Sequence, residues 1–544
     1  MVEERLQSPA PARSSAVLDD AHLGDIKGAW GTIAEQEHGE RRTWKQRLLA
    51  LAVIMGPGLI VMVGDNDAGG VATYAQAGQN YGTSLLWVLV LLIPVLIVNQ
   101  EMVVRLGAVT GVGHGRLIFE RFGKFWGWFS VGDLFLLNFL TITTEFIGIG
   151  LGADYFGLSP YIAVPLGAVM LVAITVTGRF ETWERLMFTI LAGNALVIPL
   201  MFLVHPAAGP VLHGLLVPGI QGGLSSNGAL LIVAIVGTTV APWQLFFQQS
   251  NVIDKRITPR WISYERTDTV IGAFVVVVGA AALMITTATV FQGSPLAGQF
   301  HNAESVAQGL AHHVSAAVGA IFAVVLIDAS VIGASAVTLA TSYAFGDVFH
   351  IRHSLHRSWR EAKPFYATYT VVVVLAAAIV LIPRAPLGLI TTAVQALAGT
   401  LLPAASLFLL LLCNDKAVLG PWVNRAWLNV LATVILATLV MLSMILVIST
   451  IFPGVSITIL LIVLGGVLVA TLVGVGLLTR GGLAAGVTAP EREERFTWRM
   501  PPIALLTRPV PSRGRRIGMY SMGGYVVVAV LLLLVKAVEL GVGH

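Results

Sequence analysis

Two carboxylates and an amide, Asp65, Asn66 and Asp67, fall inside an apolar run from Leu48 to Thr73, bracketed by Gly64 and by Ala68-Gly69-Gly70. A carboxylate at bilayer depth costs on the order of 3 kcal/mol to insert and normally faces a partner, a cavity or an ion. The glycines around it hold a straight helix poorly, so the chain is expected to unwind there. Backbone freed from helical bonding at that depth needs protein or a water-lined cavity to satisfy it. Acidic oxygens beside open carbonyls make a cation site.

A second interruption, Val236-Gly237-Thr238-Thr239-Val240-Ala241-Pro242-Trp243, sits in another apolar run. Proline inside a helix removes a hydrogen bond and clashes with the preceding turn. Beyond it, Gln244, Gln248 and Gln249 are polar groups suited to interhelical contact or to lining a pathway. Two further intramembrane acids, Glu145 and Asp328, are functional suspects with no partner evident from the sequence. Glu101 and Arg105 have the i,i+4 spacing of a helix-surface ion pair. His350, His353 and His356 alternate with Arg352 and Arg357, which would repel a cation, so they read as a solvated face. His301, His312 and His313, near Glu304, read as a surface loop. The motifs of acyl transfer, nucleotide hydrolysis and zinc proteolysis are absent, so the chain does not read as an enzyme or a primary pump.

The elements that must hold these residues are membrane helices. Of 544 residues, 56% are hydrophobic and 11% charged, and the mean hydropathy is +0.82. Such a composition excludes an ordinary soluble domain. One cysteine, Cys413, excludes an intrachain disulfide and a Cys-based cluster. About thirteen apolar segments are expected, near 48–73, 84–105, 127–152, 160–178, 186–205, 228–252, 268–291, 315–347, 366–384, 388–413, 427–451, 456–478 and 521–540. Alternate connections carry the basic residues: Arg116, Arg121 and Lys124; Arg179 and Arg185; Lys255, Arg256, Arg260 and Arg266; Arg352, Arg357, Arg360 and Lys363. The opposite connections are nearly bare, apart from Arg384. By the positive-inside rule the amino terminus is cytoplasmic and the last tail external; no cleavable signal peptide is seen, and the basic charge marks topology, not nucleic-acid binding. The chain divides into a flexible cytoplasmic arm (1–45), a ten-helix core (46–413), two more spans (414–478), an Arg-rich cytoplasmic linker (479–520) and a last span with a short tail (521–544). Breaks in the first and sixth spans, five apart, point to an inverted five-plus-five repeat with the site between the breaks. The halves share no evident residue-level similarity.

These residues resemble the NRAMP family of divalent metal transporters, whose first helix carries Asp-Pro-Gly-Asn after a Gly-Pro lead and whose sixth carries Met-Pro-His. Gly56-Pro57-Gly58 leads here to Asp67-Ala68-Gly69-Gly70, and Ala241-Pro242-Trp243 stands in the sixth span. Gln100, the run Arg105 to Gly111, and Gln395 in the tenth span also match, so the likeness covers about residues 48 to 413. It implies a LeuT-like fold, all-α, with discontinuous helices 1 and 6, alternating access, and extra C-terminal helices.

Carried over by position, the family's metal ligands fall on Asp67, on Gly70 in place of Asn, on Ala241 in place of Met, on Thr238 for a backbone carbonyl, and on Gln395. Loss of the thioether favours Mg²⁺, Ca²⁺ or Mn²⁺ over softer metals. Trading Met and Asn for Ala and Gly is expected to widen the cavity, which suits Mg²⁺ because that ion keeps several waters. The pattern is similar to the NRAMP-related magnesium branch. Asp65 adds negative charge, and the backbone around Ala68 adds oxygens. The family's third-helix Asp is Ile142 here, beside a retained Glu145, and its sixth-helix His is Trp243, a packing or gating residue. An indole does not titrate, so the obvious proton relay is missing.

The expected protein is therefore a monomeric plasma-membrane importer of Mg²⁺, with Mn²⁺ next, embedded in lipid, without cofactor and not proton-coupled. The rivals are a proton-coupled Mn²⁺ or Fe²⁺ symporter of the ordinary family type, an amino-acid or organic-solute carrier on the same scaffold, and a metal sensor that does not transport. Doubled aspartates would repel a substrate carboxylate.

Overall fold

The computed structural model describes residues 20–37, 41, 43–383, 386–452, 454–479, 495–496, 498–508 and 513–542. Residues 480–494, 497 and 509–512 of the expected Arg-rich linker, with Arg480 and Arg492, lie outside them, as does Arg384. All thirteen expected segments coincide with helices, several of them in pieces.

The first span is three helices: α1 (Trp44–Ile54), α2 (Pro57–Val63) and α3 (Ala68–Tyr81). Then follow α4 (Leu86–Thr110), α5 (His114–Phe122), α6 (Lys124–Tyr155), α7 (Pro160–Thr175), α8 (Phe180–Asn194), α9 (Val197–Leu203) and α10 (Ala208–Leu216). The sixth span is α11 (Ser226–Thr239) and α12 (Pro242–Asp254). Beyond it come α13 (Ile262–Phe291), α14 (Ala303–His313), α15 (Ala316–Phe349), α16 (Lys363–Val380) and α17 (Leu387–Cys413). After α17 lie a short α18 (Lys416–Leu419), α19 (Ala426–Ile451), α20 (Ile457–Thr479) and α21 (Arg513–Val542). Among the described residues ten helices, or helix pairs read as one span, are long and apolar enough to cross a membrane, eleven with the bent α1–α2 pair. Pro160–Thr175 and the described apolar stretch Gly518–Leu531 are shorter.

The packing places the broken spans at the centre. α3 lies against α13 and α11 against α17, while α6 and α15 form a long pair beside them. The bend of 55° between α1 and α2 sits at Gly56, whose φ of 151° favours glycine. Pro57 then starts α2 at a position where a missing N–H does no harm. The remaining free amides of that turn are met across the bundle. Asp268 of α13 accepts from the N–H groups of Gly56 (3.0 Å), Gly58 (2.7 Å) and Leu59 (3.2 Å). The breaks near Asp67 and Ala241 match the sequence reading, whereas this additional bend is new.

The arm expected to be flexible is partly folded. Asp20–His22 forms a 3-10 turn, and β1 (Ile26–Gly28) pairs antiparallel with β2 (Gly31–Ile33), both packed on α1. The histidines 350, 353 and 356, expected on a solvated face, do not share a helix. His353 is 3% exposed and lies 3.5 Å from Asp347, and His356 meets the backbone carbonyl of Asp254 at 3.1 Å. Only His350, which contacts Arg116, lies at the surface. The apolar surroundings of Tyr343 and Phe365 bury His353 more than the basic neighbours expose it.

Helices beyond α17 are tied to the core by polar contacts. The buried guanidinium of Arg105 on α4 donates to Glu101 (3.0 Å), to the Trp422 carbonyl (2.6 Å) and to Asn424 (2.5 Å). Arg121 on α5 similarly holds Asp415 and the Thr507 carbonyl.

Asp268→Ala strands three buried amides, each a loss of about 1–3 kcal/mol. It is expected to lower the apparent melting temperature in detergent well below that of Asp328→Ala, which removes a half-buried carboxylate serving no helix terminus; thermal-shift fluorimetry of the two variants checks this.

Candidate metal site

At the break after α2 several amides that lack a helical partner are met from within the protein. Asp65 and Asn66 close a tight turn onto the Met62 and Val63 carbonyls, at 3.2 and 3.0 Å. Asp67 is then the N-cap of α3, and its Oδ1 accepts from the Gly70 N–H at 2.7 Å. The Ala68 N–H donates to Glu145 Oε2 on α6 at 3.0 Å. Glu145 thus has a nameable partner after all, and it fixes the first turn of α3. At the second break α11 ends at Thr239, α12 begins at Pro242, and Val240–Ala241 is non-helical between them. Tyr74 of α3 and Thr239 share a hydrogen bond of 2.8 Å, which joins the two breaks directly.

The glycines measure how closely the site converges. A Cβ added at Gly69 would fall 1.7 Å from Gln395 Nε2 and 3.2 Å from Asp67 Oδ1. One added at Gly70 would fall 2.6 Å from the Asp65 carbonyl oxygen and 3.2 Å from Thr238 Oγ1. Asp67, Asp65, Thr238 and Gln395 are therefore brought together around two adjacent glycines at the start of α3. All four are buried. Several of their polar atoms have no hydrogen-bond partner: both carboxylate oxygens of Asp65, Thr238 Oγ1 and Gln395 Nε2. Buried polar atoms without partners are uncommon and ask for an explanation. Rotation of the Gln395 amide would turn its oxygen to the same place, since amide ends are exchangeable in geometry. The group offers oxygen donors and neither imidazole nor thioether. Among the described residues no three or more His, Cys, Asp or Glu are arranged to hold a metal, so any ion here draws on carbonyl, hydroxyl and amide oxygens as well as carboxylate.

Other expected residues fall in different roles. Ala68 spends its N–H on Glu145 and faces Gly148 of α6. Ala241 is a buried N-cap residue of α12 with no side-chain hydrogen bond. The widened cavity expected from glycine at position 70 is not found there, because the Asp65 carbonyl, Thr238 and the Tyr74 ring close over Gly70. Trp243 is fully buried against Phe247, and its ring edge approaches Gly64. Gln248 bonds Thr269 at 3.1 Å, and Gln249 bonds His114 and the Val112 carbonyl, so both are engaged between helices. Asp328 lies against Gly193, on the far side of α15 from Gly333, which borders Glu145 and Asp67. Asp268 and Tyr74, which hold the breaks, were not singled out from the sequence. The only signal for Asp268 is an acid at the start of an apolar run; for Tyr74 there is none.

Because the group at position 69 meets a movable amide and the group at position 70 meets backbone, Gly70→Ala is expected to destabilise more than Gly69→Ala. Overpacking of this kind costs about 1–3 kcal/mol. Melting curves of the two variants in one detergent give the order.

A family model described as Natural resistance-associated macrophage protein-like (Nramp) matches residues 58–449. The divalent metal cation transporter MntH of Bacillus subtilis (strain 168) is 26% identical over 467 residues, covering 83% of this chain and 100% of the relative. MntH 1 of Pseudomonas aeruginosa is 26% identical over 407 residues, covering 71% of this chain and 89% of the relative. A crystal structure of the Eremococcus coleocola manganese transporter superposes with a TM-score of 0.62 at 20% identity, covering 86% of this chain and 99% of that one. The superposition establishes a shared fold. The extent of the family match, on a chain whose first and sixth spans break where the site converges, makes this protein a member of the Nramp family.

Proposed function

We propose that this chain carries a divalent cation across the plasma membrane into the cytoplasm, Mg²⁺ in preference and Mn²⁺ next, as a monomer with its amino terminus inside. The observation that carries the reading is the convergence of Asp65, Asp67, Thr238 and Gln395 at the two breaks, with unpartnered buried polar atoms on three of them. A hard cation at that point would take its coordination from oxygen alone. Ala241 supplies no sulfur where the resemblance places a methionine. The relatives named as divalent metal cation transporters support the cargo class. Transport proceeds by rocking the helices of the broken spans against the rest, so that the site faces each side in turn.

The driving force is the membrane potential. Each charge moved inward through 100 mV releases ~2.3 kcal/mol, and a divalent ion gains twice that. Ile142 and Trp243 leave no titrating side chain at two positions where the resemblance places one. The competing reading, proton-coupled Mn²⁺ symport, draws on Glu145, which sits beside Asp67 at the site.

Proteoliposomes separate these readings. Mg²⁺ and Mn²⁺ flux is expected in the native chain and a loss of at least tenfold in Asp67→Ala, whereas unimpaired flux in that variant removes Asp67 from the site. An internal pH dye is expected to stay level during cation entry; acidification in step with flux establishes symport instead. Ala241→Met is expected to move selectivity toward Cd²⁺ and Mn²⁺ at the expense of Mg²⁺, measured as the ratio of initial rates.

A further inference from the structure

The bend at Gly56 divides the first span, and the part before it, α1, is held by contacts that the site itself does not need. The hairpin β1–β2 lies on α1 so closely that a Cβ at Gly28 would fall 2.0 Å from the Val53 carbonyl oxygen. The same hairpin is fastened to other helices. The Ala29 N–H donates to Glu184 Oε2 of α8 at 2.6 Å, and Arg185 of α8 donates to the Ala29 carbonyl at 2.9 Å. Lys27 pairs with Glu181 at 3.8 Å. The other oxygen of Glu184 takes Lys255 at 2.5 Å, a pair wholly buried, and Lys255 also donates to the Met55 carbonyl at 2.8 Å, beside the bend. One carboxylate thus joins the hairpin, the bend, α8 and the end of α12.

The turn before the hairpin is gripped as well. Arg256 donates to the Ala21 carbonyl at 2.9 Å and to the Asp25 carbonyl at 3.1 Å. It does so from a φ of 66°, a left-handed conformation that costs a side-chain-bearing residue about 1–2 kcal/mol. Strain of that kind persists only where surrounding contacts fix it. Asp254 extends the grip to the connection after α15, accepting from Tyr343 (2.6 Å), Ser354 (2.5 Å) and the Leu355 N–H (2.9 Å).

We propose that residues 20–33 are a release latch on the first span: the end of the bundle that carries the basic connections opens only when the hairpin leaves α1 and Glu184. The inference rests on the alternating-access reading above, because rocking the first span requires α1 to move against α8 and α15. With the latch in place, α1 is tied to both through Glu184, Lys255, Arg256 and Asp254. Gly56 is the joint on which α1 turns, and it also has no room for a side chain, since a Cβ there would fall 2.1 Å from Glu184 Oε1.

Hydrogen exchange of the full chain, read by mass spectrometry for the native protein and for Gly28→Val, Arg185→Ala and Arg256→Ala, tests this without any transported ion. The expected result is that exchange quickens at least fivefold both in the peptide covering 24–33 and in that covering 48–60, with α4 and α17 unchanged. Free exchange at 24–33 with native exchange at 48–60 overturns the latch, and so does native exchange at both in all three variants, because the contacts then hold nothing. Since the readout is conformational, a failure of Asp67→Ala to abolish flux would count against the transport reading and leave this result standing.

Discussion

Everything at the centre of this protein depends on side-chain carboxylates taking over hydrogen bonds that broken helices abandon. Bilayer hydrocarbon offers no water to an exposed amide. Asp268 closes the start of α2, Asp67 the start of α3, and Glu145 the amide next to it. With those donors satisfied from the protein, the Asp65 carboxylate, the Thr238 hydroxyl and the Gln395 amide are left free to face something else. The breaks are thus held in place, with some of their buried polar atoms left without partners.

The same economy of space decides which donors come together. Two glycines let Gln395 and Thr238 approach α3 without intervening side chains, so the group is tight and its members come from the break before α3 and from α11 and α17. A softer metal would find no sulfur in this group. A small, strongly hydrated ion would find oxygens of several kinds, and a carboxylate that the protein itself leaves unpaired.

Much of this architecture is readable in the residues. Gly64 to Gly70 and Ala241-Pro242 mark both central breaks, with Asp65 and Asp67 at the first of them, while Thr238 and Gln395, placed by the family resemblance, lie close to the start of α3. Glu101 and Arg105 form the pair their spacing predicts. What could not be read is long-range: Asp268 meets Gly58 across 210 residues, and nothing local in either stretch names the other. The filling of the space at Gly70 by Thr238 and Tyr74 is likewise a matter of helix approach, not of composition. His353 shows the converse error, for a histidine among arginines is buried once a loop folds back onto Tyr343 and Asp347. The hairpin at 26–33 is short and mixed in polarity, so it carries too weak a periodic signal to be separated from an arm.

The bond network of Arg105 bears on how the chain comes into being. Its acceptors at Trp422 and Asn424 lie 317 and 319 residues further along, so α4 enters the bilayer long before they are synthesised. Until then Glu101 is its nearby counter-charge on the same helix. The connection between α18 and α19 therefore supplies late partners to an early helix, and this part of the assembly waits on the last quarter of the chain.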